Sequence, residues 1–353
     1  MITKEIFGKK PCGCEVDKYV VTNKNGASVE ILSMGGIMHK LFMPDRNGNM
    51  ADLICGFDTV EGYLTGGGYQ GALIGRYGNR IAGGKFTLNG VTYQLNCNDG
   101  DGTRHLHGGN VGFNQKIWDV VPFEKAGEQG LILSLVSPDG EENYPGTLNV
   151  TVTYTLTDKN ELKIHYEATT DKDTVINLTN HSYFNLGGFN SGTVLGQYLT
   201  IEADAITEIN NEFIPTGKEY AVAGTPFDFN TATKIGDRIN DSDEQLVFGG
   251  GYDHNYIFRN FDGTLRRQAE MYDEKSGRVM EVYTDQPGVQ LYAGNMMTDP
   301  VPMKGGMKQE KRLAICLETQ HAPDSPNHAN FLSTVLKPGE KYDTTTVYAF
   351  SVR

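Results

Sequence analysis

The chain has 353 residues and a formal net charge of −13, because 44 aspartates and glutamates outweigh 31 lysines and arginines. This length suits one large domain or two ordinary ones. The acidic balance disfavours nucleic acid or an anionic membrane surface as a partner, since like charges repel, and it favours a neutral small molecule.

The N-terminal residues 1–10 lack the apolar stretch that a secretory signal peptide requires. No later segment reaches the run of about 18 apolar residues that a membrane-spanning helix needs. An odd number of cysteines without a secretory signal indicates reduced thiols. These cysteines are Cys12, Cys14, Cys55, Cys97 and Cys316. The sequence therefore predicts a soluble, cytoplasmic protein.

Short segments in which apolar and polar residues alternate recur along the chain, with turn signals between them. Segments 86–88 and 91–95 flank Asn89-Gly90, a pattern typical of a tight β-hairpin. The same alternation predicts strands at 148–156 and 162–168, and the chain ends in a further apolar strand at 346–352.

Helical periodicity is scarce, and only residues 233–239 could form one or two helical turns. Strands and helices do not alternate, so a parallel α/β sheet is not expected. No linker, repeat or charged block divides the chain. The sequence predicts a single all-β domain over residues 1–353, a large antiparallel β-sandwich of two packed sheets.

One polar segment, residues 177–186, places His181 among amides, hydroxyls and aromatic rings. Histidine titrates closest to neutral pH, so it suits proton transfer. The alternative is a buried structural histidine whose ring nitrogens are satisfied by Asn180 or Asn185. The residue types support the two interpretations about equally.

A second segment carries Glu318 directly after the apolar residues 314–317. This position predicts a carboxylate at the end of a buried strand, where partial desolvation would raise its pKa and make it a stronger base. The alternative is a salt bridge at the strand end to Arg312 or Arg80.

Four further segments carry candidate binding residues. Segment 73–81 contains Arg76, Asn79 and Arg80 among glycines; it lacks the spacing of a phosphate-binding loop, and a turn with surface arginines is its ordinary interpretation. Histidines two apart on a strand share a face, so His105 and His107 could hold a metal.

A metal site usually has three or four protein ligands, and no other cluster has a matching spacing, so metal binding is not expected. His107 is better suited to contact a sugar hydroxyl or ring oxygen, with room left by Gly108-Gly109. Asp253, between aromatic residues in segment 251–256, also suits sugar recognition, although an ordinary turn has similar composition. Gln290 in segment 286–292 is a weak signal alone.

Together and in this order, the six segments resemble the aldose 1-epimerase (galactose mutarotase) family. The resemblance runs from about Arg76 to Glu340, and its motifs are Gly75–Ile81, Leu106–Gly109, Asn180–Leu186, Tyr252–Tyr256, Gln286–Gln290 and Leu317–Gln320. Each motif is modest, but six in register make a chance resemblance improbable.

The resemblance implies an antiparallel β-sandwich that interconverts the α and β anomers of free aldohexoses such as glucose and galactose, with neither cofactor nor metal. By position, His181 resembles the family's general acid and Glu318 its general base. The matching substrate-binding positions are Asn79, Arg80, His107, Asp253 and Gln290. Arg76 competes with Arg80 because both lie in one motif. The expected partner is an aldose, without nucleic acid or membrane, and the expected state is a monomer or weak homodimer.

Three departures from the family pattern put pocket shape and sugar preference in question. They are Ala322 in place of a larger aromatic residue, Leu332 in place of proline, and a slightly long loop at 96–104. Rival functions are a glycoside hydrolase that pairs Asp253 with Glu318, and a non-catalytic sugar-binding module. A mutarotase for phosphorylated hexoses is disfavoured by the acidic balance.

Overall fold

The computed structural model describes residues 1–353 and consists mainly of β-strands. In chain order the strands are β1 (Ile2–Lys9), β2 (Glu15–Thr22), β3 (Ser28–Leu32), β4 (Met38–Pro44), β5 (Met50–Asp52), β6 (Leu73–Ile74), β7 (Arg80–Ala82), β8 (Lys85–Leu88), β9 (Val91–Gln94), β10 (Arg104–Leu106), β11 (Asp119–Lys125), β12 (Glu128–Ser137), β13 (Leu148–Thr157), β14 (Glu161–Thr170), β15 (Thr174–Val175), β16 (Thr179–Asn180), β17 (Tyr198–Ile201), β18 (Ala203–Ile209), β19 (Pro215–Ala221), β20 (Thr233–Lys234), β21 (Asp253–Phe258), β22 (Arg266–Tyr272), β23 (Arg278–Thr284), β24 (Gly288–Tyr292), β25 (Cys316–Gln320), β26 (Val335–Leu336) and β27 (Tyr342–Val352). The two α-helices are α1 (Val60–Thr65) and α2 (Glu244–Gly249).

The strands form three larger sheets, and every pairing between them is antiparallel. A nine-stranded sheet has the order β11-β12-β13-β14-β27-β23-β22-β17-β20, and the two five-stranded sheets have the orders β1-β2-β3-β4-β5 and β19-β18-β21-β24-β25. The remaining strands form four two-stranded pairs. The all-β antiparallel fold predicted from the sequence is confirmed, although the strands divide among more than the two sheets expected.

The predicted hairpin at Asn89-Gly90 joins β8 to β9. Both turn residues have positive φ, 52° and 78°, which is the geometry of the tight turn that matches strand twist. The strands predicted at 148–156, 162–168 and 346–352 correspond to β13, β14 and β27. Local alternation therefore located these strands correctly.

The helix expected at 233–239 is wrong. Residues 233–234 form β20, which pairs with β17, and the chain then continues in turns. Ile235 and Ile239 are both buried at the four-residue spacing of a helix. However, the backbone N–H of Ile235 donates to the carbonyl of Gln197, and the N–H of Gly236 donates to that of Leu195. Pairing with another segment therefore overrides the local pattern.

The main apolar core contains residues from all three larger sheets. Tyr348 of the nine-stranded sheet, for example, donates its hydroxyl to the carbonyl oxygen of Leu317 on β25, at 3.0 Å. Strands β24 and β25 are buried along their whole length. Because successive side chains on a strand point to opposite faces, one face of these strands packs on the core and the other is free to form the wall of a site.

Neither helix has the length and apolarity needed to cross a bilayer. All five cysteines have free thiols, with Cys12 and Cys14 exposed at the turn between β1 and β2.

Candidate active site

A cavity of about 510 Å³ lies over the buried strands β24 and β25. It is lined by all seven residues to which the sequence assigned catalytic or binding roles: Asn79, Arg80, His107, His181, Asp253, Gln290 and Glu318. Its rim is formed by segments 66–70 and 296–300. Residues from six distant segments of the chain thus meet at one place.

A second cavity, of about 630 Å³, is larger, but each nitrogen of its buried arginine already donates to a backbone carbonyl. Arg278 donates to the carbonyl oxygens of Met43, Leu186 and Asn49. A guanidinium held by three backbone groups is oriented by the fold and has fewer donors to offer a ligand. The first cavity is therefore the candidate site.

The floor of the cavity is set by the register of β21, β24 and β25. Gln290 lies directly opposite Glu318, and Asp253 lies opposite Tyr292. The Gln290 side-chain amide donates to Asp253 Oδ1 at 2.7 Å. Glu318 is the central residue of β25 and not a strand-end residue as expected, and only 1% of it is exposed.

The segment around His181 is held by its backbone. The His181 N–H donates to the carbonyl of Ala72, and its own carbonyl accepts from the N–H of Gly71, both at 2.9 Å. Farther along, Phe184 and Ile315 exchange two backbone hydrogen bonds, at 2.7 and 3.0 Å. This exchange joins the His181 segment to the start of the strand that carries Glu318.

The amides near His181 hold the loop and not the imidazole ring. Asn180 donates to the carbonyl of Gly71 and to the Tyr154 hydroxyl, while Asn185 donates to the carbonyls of Gly192 and Leu313. The alternative in which one of these amides satisfies the histidine ring is therefore wrong.

The His181 ring faces Glu318 across the cavity. His181 Nε2 is 3.6 Å from Glu318 Oε1, and both side chains are buried. His181 Nδ1 lies 3.4 Å from the thiol of Cys316. The ring stacks between Tyr183 and Tyr69, with centroid separations of 5.1 and 6.1 Å. No cation of Arg80 or Arg312 comes within ion-pair distance of Glu318, so the salt-bridge alternative is also wrong.

Burial acts on the two facing groups in opposite directions. Desolvation lowers the pKa of His181 to about 4. It also raises the pKa of Glu318 well above its ordinary value; the charge of Asp253 adds to this rise and that of Arg80 opposes it. Both effects favour the neutral forms, in which the titratable proton of the pair lies on Glu318 and not on His181. The sequence predicted a cationic His181 and an anionic Glu318, and burial disfavours both of these charged forms.

His107 presents a fixed tautomer to the cavity. Its Nδ1 accepts the backbone N–H of Asn79 at 3.0 Å, and burial lowers its pKa well below the ordinary value, so the neutral ring carries its proton on Nε2. His107 can therefore donate a hydrogen bond to a ligand.

This tautomer bears on metal binding, because ligand atoms of His107, His181 and Glu318 lie within 4.8 Å of one another. A metal-bound histidine normally donates its second ring N–H to an acceptor. In His107 one nitrogen already accepts an N–H and the other holds the proton. Coordination would require the loss of the Asn79 hydrogen bond, so the donor set fits a metal poorly.

Two expectations about this segment are wrong. His107 follows β10 with φ of 51°, so it does not share a strand face with His105, which instead contacts the Tyr144 hydroxyl and the Asn96 carbonyl. The space beside Gly108 is filled by backbone, since a Cβ there would lie 1.9 Å from the Gly75 carbonyl oxygen.

The two arginines of segment 73–81 point to different places. Arg80 lines the cavity and donates its Nε to Asp99 Oδ2 at 2.8 Å. Arg76 is buried elsewhere, where its guanidinium donates to the carbonyls of Ser137, Pro145 and Gly146 and to the Ser137 hydroxyl. Arg80 is therefore the arginine available to a ligand.

Residues 17–349 match the family described as Aldose 1-epimerase. The chain belongs to this family. It is 41% identical to "Galactose mutarotase" of Bos taurus over 99% of each chain, and 34% identical to "Aldose 1-epimerase" of Escherichia coli (strain K12) over 93% of each. A solved structure of a galactose 1-epimerase from Lactobacillus acidophilus NCFM superposes with a TM-score of 0.87 at 28% identity, and covers 100% of this chain and 99% of that one.

Of the three departures from the family pattern, only loop 96–104 reaches the cavity, through Asp99. Ala322 and Leu332 do not line it, and Leu332 is 51% exposed. Of the three departures, only the one in loop 96–104 can therefore alter the shape of the pocket directly.

Several cavity residues were not assigned from the sequence, among them Tyr69, Asp99 and Tyr292. The run Gly66-Gly67-Gly68 before Tyr69 is a signal for a loop that approaches other groups closely, and Tyr69 itself has φ of 52°. Tyr292 shares a strand face with Gln290, so strand alternation could have placed it in the site.

Replacement of Arg76 by lysine should lower the free energy of unfolding by about 2–3 kcal/mol, since an ammonium cannot reach the same set of buried carbonyls. It should change KM far less than Arg80→Lys does. Thermal or denaturant unfolding together with sugar kinetics checks both points, with Arg267→Lys, at an exposed position, as control. A stable Arg76→Lys enzyme with a strongly raised KM would contradict this division of roles.

Proposed function

We propose that this family member interconverts the α and β anomers of free aldohexoses, with His181 as general acid and Glu318 as general base. The observation that carries the proposal is the buried pair itself, with His181 Nε2 and Glu318 Oε1 3.6 Å apart beside a polar cavity. The names of the relatives, galactose mutarotase and aldose 1-epimerase, support an aldose as substrate.

Ring opening requires one proton to leave and one to arrive. Glu318 takes the proton of the anomeric hydroxyl while His181 gives a proton to the ring oxygen, so the C1–O5 bond breaks and C1 becomes an aldehyde. The C1–C2 bond then rotates, and O5 attacks the other face of the aldehyde. Closure returns the first proton from Glu318 to the new anomeric oxygen, and His181 recovers the other from O5.

The direction of the pKa shifts fits one half of this cycle. After opening, His181 is neutral and Glu318 is protonated, which is the arrangement favoured by burial. The cyclic sugar must therefore bind with the proton on His181. The guanidinium of Arg80 assists this arrangement, because its charge lowers the pKa of Glu318.

The other residues offer both donors and acceptors to sugar hydroxyls. His107 Nε2 and the Arg80 guanidinium are donors, and the Asp253 carboxylate is an acceptor. Gln290 Oε1 and Glu318 Oε2 are buried without a protein hydrogen-bond partner. Buried polar atoms are normally paired, so these two oxygens suit the hydroxyl donors of a bound sugar. We assign Asn79 to the substrate-binding residues because it lines the cavity. Its backbone N–H also orients His107.

Polarimetry of freshly dissolved α-galactose or α-glucose tests the proposed function. Accelerated approach to the equilibrium rotation supports it, and a rate equal to that of buffer alone rejects it. Release of free sugar from an aryl galactoside would instead indicate a hydrolase, a reaction in which His181 has no clear part. Binding of sugar without acceleration would indicate a binding module.

The pH dependence of kcat/KM should be a wide bell. Activity needs one proton on the pair: as pH falls through the pKa of His181 a second proton binds, and as pH rises through the raised pKa of Glu318 the last proton is lost. The acid limb should thus lie near pH 4. Initial rates between about pH 4 and 9 check this; an acid limb near the ordinary histidine value of about 6.5 would contradict it.

A cytoplasmic location and a monomeric or weakly dimeric state are parts of this proposal. The acidic net charge of −13 supports a partner that is neither nucleic acid nor an anionic surface. Size-exclusion chromatography with light scattering tests the oligomeric state.

A further inference from the structure

Arg80 is held in the cavity wall by two groups that leave its outer nitrogens free. Its Nε donates to Asp99 Oδ2 at 2.8 Å, and its guanidinium carbon lies 4.6 Å from the ring centroid of Phe213. No protein group accepts a hydrogen bond from Nη1 or Nη2 of Arg80. A planar guanidinium fixed at Nε and stacked on a ring presents its remaining donors in one direction.

Asp99 is itself anchored from the other side. Its Oδ2 is also 3.1 Å from Nε of Arg104, and the backbones of Asp99 and Arg104 exchange two hydrogen bonds at 3.1 Å. Arg104 in turn donates to the carbonyl oxygen of Glu212, next to Phe213. Loop 96–104 and the turn between β18 and β19 thus form a closed set of contacts around Arg80.

We propose that Asp99 is a positioning residue for the epimerase reaction, which holds Arg80 so that its Nη1 and Nη2 donors meet hydroxyls of the bound aldose. This inference rests on the proposed function and extends it to a residue outside the motifs of the sequence. The carboxylate lines the cavity, but its effect on the sugar runs through Arg80. It lies in loop 96–104, and its partner Arg80 lies on β7.

The proposal predicts an effect on binding and not on proton transfer. In Asp99→Asn the carboxylate is lost, so the Arg80 side chain can adopt more conformations. Because sugar binding must then fix that side chain in one conformation, binding becomes less favourable. KM for α-galactose should rise about tenfold, the size of one charge-assisted hydrogen bond. The kcat should fall less than about threefold, because His181 and Glu318 are untouched. Asp101→Asn is the matched control, since Asp101 is exposed in the same loop.

A double-mutant cycle separates positioning from a general structural effect. In an Arg80→Lys background, Asp99→Asn should change KM by less than twofold, because the lysine ammonium has no Nε–H fork to orient. A tenfold rise in both backgrounds, or a KM equal to that of Asp101→Asn, would overturn the proposal. So would a loss confined to kcat.

If thermal unfolding shows that Asp99→Asn is poorly folded, Phe213→Leu provides a second test of the proposal. Removal of the stacked ring should raise KM with little change in kcat, and an unchanged KM would count against the positioning of Arg80 by its contacts with Asp99 and Phe213. Failure of the two proposals is distinguishable. A wild-type protein without mutarotation rejects the proposed function, whereas an active wild type whose variants keep a normal KM rejects only the role of Asp99.

Discussion

Replacement of Glu318 by glutamine is expected to lower kcat for α-galactose mutarotation by about a thousandfold, within the usual range for loss of a general base. Glutamine has nearly the same shape, so it can keep the contacts of β25 with β24. It cannot accept the proton of the anomeric hydroxyl. The initial polarimetric rate, corrected for the spontaneous reaction in buffer, measures the effect.

The matched control is Glu219→Gln, because Glu219 is an exposed residue of β19. It should keep the wild-type kcat and KM. KM of Glu318→Gln should change by less than about tenfold, since the amide still forms hydrogen bonds with sugar hydroxyls. A Glu318→Gln protein that folds normally and keeps a tenth or more of the wild-type kcat would sink the assignment of the base.

The second large effect is expected for His181→Asn, with a fall in kcat of about a hundredfold to a thousandfold. Asparagine forms hydrogen bonds but cannot deliver a proton to the ring oxygen. The backbone bonds of residue 181 to the 71–72 segment do not involve the side chain, so the variant should still fold. Polarimetric kcat and the thermal unfolding midpoint measure the two properties.

Rescue by added imidazole distinguishes an acid from a structural histidine. Free imidazole should restore part of the activity of His181→Asn, because the space between Tyr69 and Tyr183 held an imidazole ring. It should do nothing for Glu318→Gln. His165→Asn, at a partly exposed position of β14, serves as control and should behave as wild type. A His181→Asn enzyme with normal kcat would refute the acid role.

The short strands and the family could be predicted because their signals are local. Asn89-Gly90 fixes a tight turn from two residues, and alternation at 148–156 needs only neighbouring positions. The helix expected at 233–239 failed for the converse reason: its backbone pairs with residues 195–197, and no local pattern reveals such a partner. Assignment of residues 1–353 to a single domain stays a prediction.

The identities of the site residues could be predicted better than their side-chain directions, tautomers and protonation states. Arg76 and Arg80 share one motif, yet one side chain is used by backbone carbonyls and the other faces the cavity. The tautomer of His107 depends on one N–H of Asn79, and the pKa shifts of His181 and Glu318 depend mainly on burial. These are properties of the assembled structure that residue types alone do not contain.

The backbone exchange between Phe184 and Ile315 has a consequence for how such enzymes can diverge. It lies three residues from each member of the proton-transfer pair, so it joins the backbone of His181 to that of Glu318 without passing through the rim segment at 296–300. We therefore expect segment 296–300 to tolerate insertions or substitutions that change which sugars enter, whereas segment 66–70 is constrained because Tyr69 stacks on the His181 ring.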